Sequence, residues 1–121
     1  MDQVRTYLAA NDPTTALQRL QDYGLDSQEA LFLEASALAQ LERGQEAWIL
    51  LQRMQELWPL DPMIHFNLAI VARDYMGQPQ LAAEELDVFL ELAQSPGLDR
   101  EVPYFRKVQA WTWLRELRPE K

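Results

Sequence analysis

Few side chains in this chain could do bond-making chemistry. His65 is the one histidine, and cysteine is absent. A single imidazole with no thiolate and no second histidine cannot supply the nitrogen and sulfur set that zinc takes, so no metal is expected. His65 also falls on the packing side of an apolar stretch, "MIHFNLAIVA", which predicts a packed histidine rather than a general base. Glu84, Glu85 and Glu91 recur at helical spacing among apolar residues and read as a solvated helix face. Neither a Gly-rich phosphate loop nor a G-x-S-x-G turn occurs. Catalysis and a cofactor are therefore not expected, and recognition of another molecule is what remains.

The richest recognition chemistry lies in the last segment, "VPYFRKVQAWTWLREL". On a helix, Tyr104, Val108, Trp111 and the Leu114–Arg115 step make one stripe, and Phe105, Thr112 and Trp113 point partly elsewhere. Tyr and Trp offer large contact area at low entropic cost, which suits interfaces. Tryptophans two residues apart cannot share one helix face, so the helix is buried on both sides or shows one indole to solvent. Burial of both is the expectation. An interface through Tyr104, Trp111 and Trp113, with a homodimer or another partner, is the alternative.

The elements that must position these residues are helices. Leu, Ala, Gln and Glu dominate and β-branched residues are few, which favours helix over sheet. Asp12-Pro13 and Asp61-Pro62 each place a capping carboxylate before a proline that fits the first helical position. Asp26 with Glu29 reads as a capping box. Gly24, Gly44 and Gly77 stand where helices should stop, and Pro59, Pro79, Pro96 and Pro103 mark further ends or starts. The punctuation predicts an all-α chain of seven helices, near 2–10, 13–23, 27–42, 45–58, 62–76, 79–94 and 102–117. Connections of two to seven residues fold neighbours back as antiparallel hairpins. The 121 residues read as one domain of ordinary globular composition, 48% apolar and 25% charged.

The hairpins repeat. "GQEAWILLQRM" from Gly44 and "GQPQLAAEELDVF" from Gly77 follow the same pattern. Ala35 and Ala69 are 34 residues apart, whereas Ala47 and Ala82, Leu51 and Leu86, and Met54 and Phe89 are 35 apart, so one residue is inserted near Tyr75-Met76. Val4, Ala16, Leu20 and Tyr23 precede their counterparts by 31. Two-helix units recurring near 34 residues mark a stacked helical array, because one hairpin cannot hide its apolar face alone.

The pattern resembles the tetratricopeptide repeat family. Ala35, Gly44, Ala47, Leu51, Met54 and Pro59 take the family's positions in a middle unit. Ala69, Gly77, Ala82, Leu86 and Phe89 take them in a third, with Pro96 late. The family's helix A tryptophan is replaced by Leu31 and His65, and its leucine by Glu34 in the middle unit. The resemblance implies a right-handed array with units near 1–24, 27–59 and 61–95 and a capping helix near 101–118. It also implies a concave wall lined by the first helix of each hairpin. The residues there not spent on packing are Phe32, Leu33, Ser36, Ala39 and Gln40, then Met63, Phe66, Asn67, Ile70, Arg73 and Asp74. Such a wall suits a helix or extended peptide of a partner protein, with Asn67 able to bond its backbone. The other outcome is that the last helix folds in and fills the groove.

The expected role is thus a non-catalytic adaptor or scaffold binding a peptide or helix. The alternatives are a small acidic chaperone of the kind found in bacterial secretion systems, holding an apolar client, and a self-assembling subunit. The net charge of −8 argues against nucleic acid, whose phosphates would be repelled. No run of 18 apolar residues occurs, so no membrane insertion is expected, and the cytoplasm is the expected compartment.

Overall fold

The computed structural model describes residues 2–24, 26–94 and 102–118. They form seven α-helices and, among the described residues, no strand: α1 (Asp2–Ala9), α2 (Pro13–Tyr23), α3 (Gln28–Gln40), α4 (Gly44–Leu57), α5 (Pro62–Ile70), α6 (Pro79–Ala93) and α7 (Tyr104–Leu117). The protein is all-α, as expected, and neighbouring helices pack: α1 on α2, α2 on α3, α5 on α6 and α6 on α7. The chain divides into two compact units, Met1–Met54 and Gln55–Lys121, with the boundary in the last turn of α4.

Local chemistry explains most of the ends. Asp12 accepts from the Thr15 N–H at 3.3 Å, and Asp61 accepts from the Met63 N–H at 2.9 Å, each beside a proline in the first turn. Gly24 closes α2 at φ 61°, where a side chain would be strained. Two caps differ from the expectation. Ser27, not Asp26, caps α3 by accepting from the Ala30 N–H at 3.2 Å. Gly44 does not stop α3; Glu42 takes the left-handed turn at φ 60°, and Gly44 is the first residue of α4.

In the first unit Val4, Ala16, Leu20, Ala35, Ala47, Leu51 and Met54 of the repeated pattern are buried, whereas Tyr23, the expected counterpart of Met54, is exposed. Arg5 pairs with Glu29 at 2.8 Å, tying α1 to α3. Trp48, which lies off the Ala47–Leu51–Met54 stripe, is buried as well.

In the second unit, α5 and α6 form a hairpin around Ala69, Ala82, Leu86 and Phe89. The end of α5 widens: Val71–Tyr75 form a π turn, then Gly77 at φ 62° lets the Gln78 N–H reach the Ala72 carbonyl at 2.8 Å. A π turn is how a helix takes up one extra residue without losing its axis. It sits where the repeat spacing lengthens from 34 to 35.

His65 is buried on α5, and its Nδ1 donates to Glu85 Oε1 on α6 at 2.8 Å. Glu85 therefore departs from the expected solvated face, while Glu84 and Glu91 are exposed. Removing the carboxylate would strand a buried polar ring. Glu85→Ala is expected to cost about 1–3 kcal/mol, whereas exposed Glu84→Ala stays within about 0.5 kcal/mol. Urea midpoints of the two variants check the contrast.

Candidate functional site

The residues expected to line the groove fall in both units. In the first, Phe32, Leu33, Ser36 and Gln40 are half-buried on α3, and Ala39 is buried. Gln40 keeps its Oε1 buried with no hydrogen-bond partner among the described residues.

In the second unit the expectation of an open wall is corrected, because α7 lies on it. Phe66 is only 1% exposed and belongs to a core with Ala69, Leu86, Phe89, Leu90, Val102 and Ala110. Its ring meets Phe89 at 5.0 Å between centroids and stacks on Trp113 at 5.4 Å. The Arg106 guanidinium closes over it at 5.2 Å. Met63 and Ile70 pack against the same core, as do Leu114 and Leu117 of α7. Asn67 spends its amide inside its own helix, donating Nδ2–H to the Met63 carbonyl at 2.8 Å. Arg73 rises from the π turn over Trp113 at 4.6 Å and pairs with Asp74 at 3.1 Å and, more loosely, with Glu116 at 3.9 Å. The last helix thus covers Phe66 of α5 by apolar burial and stacked cations, and an Arg118–Asp87 ion pair at 2.7 Å ties its end to α6. Of the expected wall in this unit, only Asp74 is exposed.

Covering α5 uses one side of α7 and leaves the other bare. Tyr104 is 69% exposed, Phe105 60%, Val108 41% and Trp111 40%. The Tyr104 and Trp111 rings meet edge-to-face at 6.0 Å, which holds them as one patch. The two tryptophans split as helical geometry demands: Trp113 inward and half-buried, Trp111 outward. Burial of both, the expectation for this helix, is corrected by the exposure of Trp111. Phe105, off that stripe, is exposed too, beneath the Arg106 guanidinium at 4.8 Å. Of the other large exposed apolar residues, Leu57 and Leu60 stand three residues apart at the α4–α5 junction, whereas Tyr23 on α2, Ile49 on α4, Val88 on α6 and Tyr75 are single. Scattered single residues of that sort are ordinary surface.

Among the described residues no cluster of His, Cys, Asp or Glu has the makings of a metal site, and no helix is long and apolar enough to cross a membrane. In comparisons with family models, curated proteins and solved structures, nothing matched this chain.

Proposed function

We propose that the chain is a non-catalytic protein-binding module, an adaptor of the cytoplasm, whose partner surface is the outer face of α7. One observation carries this reading: Tyr104, Val108 and Trp111 are exposed along one face of α7 with the two rings in edge contact, and Phe105 is exposed on the same helix. Aromatic residues of that kind are enriched where proteins meet and costly to leave wet without use. We keep the hairpins as tetratricopeptide-like. What supports that is the burial of the repeated alanines and of every repeated large residue but Tyr23, and a π turn at the place where the repeat spacing widens.

The cover of α7 over Phe66 favours this surface over a groove along α5, and over the alternative of a chaperone holding an apolar client in such a groove. Self-assembly through the aromatic last helix is the alternative.

A photo-crosslinking side chain at Val108, irradiated in native lysate, is expected to give discrete heterologous adducts. The same probe at Val88, equally exposed on α6, is expected to give none. Adducts of the same mass from both positions, or from Val88 alone, would remove the site from α7.

A further inference from the structure

The identity of what sits on α7 can be narrowed further; the narrowing rests on the outer face of α7 being the partner surface. Tyr104, Val108, Trp111 and Arg115 follow one another at steps of four, three and four residues. That spacing keeps a seam on one side of a helix, as in coiled coils, and the strip is one helix wide and roughly 16 Å long. A seam of that shape takes another helix laid along it.

Charge selects the kind of helix. Residues 104–118 hold Arg106, Lys107, Arg115 and Arg118 against a single acid, Glu116, in a chain of 11 basic and 19 acidic residues. By contrast, residues 55–94 hold one base, Arg73, against seven acids. Two of the four α7 bases are committed inside the unit: Arg106 stacks on Phe66 and Phe105 and bonds Gln109, and Arg118 pairs with Asp87. Lys107 and Arg115 have no acidic partner among the described residues, and they flank Trp111 and end the seam.

Three occupants meet this surface differently. A second copy would bring its own Lys107 and Arg115 to the same strip, where like charges repel. An anionic bilayer would attract these two cations while repelling a chain of net charge −8. A helix with an apolar row and acidic flanks meets the aromatics and both cations at once. We propose that the outer face of α7 docks an acidic amphipathic helix of a partner protein, its apolar row against Tyr104, Val108 and Trp111 and its carboxylates against Lys107 and Arg115.

The test is a display selection on the full-length folded chain. The probe is a library of 16-residue peptides with leucine fixed along one helical face and the flanking positions randomised among Asp, Glu, Lys, Arg, Ser and Gln. Enriched peptides are expected to carry Asp or Glu at the flanks. They are expected to lose at least tenfold in affinity to Lys107→Glu/Arg115→Glu, and to weaken steeply as salt is raised. Flanks without acidic bias, in peptides still lost on Trp111→Ala, would overturn the acidic partner and leave the α7 face standing. No enrichment dependent on Trp111 would overturn both. Two further readings are decisive on the same protein. Sedimentation showing a Trp111-dependent dimer would make a second copy the occupant. Binding to phosphatidylserine-containing vesicles that Lys107→Glu/Arg115→Glu abolishes would make a membrane the occupant. Either result overturns the proposal; a monomer that ignores such vesicles agrees with it.

Discussion

Phe66→Ala is expected to be among the most damaging single truncations in the second unit, at about 3–5 kcal/mol and a fall in Tm of roughly 10–20 °C. Phe66 holds the ring contacts of two other helices: Phe89 from α6 and Trp113 from α7. It also carries the Arg106 guanidinium, so its loss opens a cavity and frees a cation from its stacking surface. The experiment separates two pictures of α5. Were Phe66 a groove residue waiting for a partner, truncating it, or replacing it by glutamate, would leave helix content and stability intact and reduce only partner capture. With α7 seated on it, Phe66→Glu takes a carboxylate into a closed apolar core and removes the ring that Phe89 and Trp113 pack on, and α7 should peel away. Near-ultraviolet circular dichroism and urea midpoints report that loss directly. A Phe66→Ala protein as stable as the parent would mean that α7 does not occupy this face in solution.

The same residue shows where sequence reasoning stops. The helix positions were legible because their signals are local. Asp-Pro pairs, a left-handed glycine and short connections fix each end within a few residues, and observed bounds such as Pro13–Tyr23 coincide with the expected ones. The repeated alanines were legible as core for the same reason, since period alone assigns them a face. Whether Ser27 or Asp26 caps α3 was not, because both are good acceptors and the backbone decides between neighbours. Nor was the turn at Glu42, a residue that seldom adopts positive φ, while a glycine stood two positions on. The insertion near Tyr75 was visible as a change of spacing, though only the structure shows it taken up as a π turn. The candidate site lies further still from local rules. A helical wheel marks Phe66 as an apolar residue off the hairpin's packing stripe. It cannot say whether a partner or the chain's own α7 covers it, because that depends on a contact about 47 residues away in sequence. The outer stripe of α7 was read with its correct members Tyr104, Val108 and Trp111, but which of the two tryptophans faces the core needed α5 in place.

That division of the tryptophans makes the sharpest functional contrast. Trp111→Ala with Tyr104→Ala is expected to leave stability nearly unchanged, since exposed side chains away from caps and cores contribute within about 0.5 kcal/mol each. Partner capture should nevertheless fall at least 30-fold, the loss of about 2 kcal/mol or more that central aromatic anchors bring to an interface. Trp113→Ala should behave in the opposite way. It removes the ring stacked on Phe66 and the surface under Arg73, so it is expected to destabilise by about 2–4 kcal/mol. Its effect on capture should follow only from the loosening of α7, and should fade when capture is measured well below the unfolding transition. Two substitutions on one helix, two residues apart, thus separate holding α7 in place from using it. Isothermal titration with a captured partner, set beside thermal melts of both variants, reads the two effects independently. If Trp111→Ala/Tyr104→Ala binds as the parent does, the exposed aromatics are idle and the partner surface lies elsewhere. If it melts several degrees lower, the two rings are packed in solution and the outer face of α7 is not free to receive a partner.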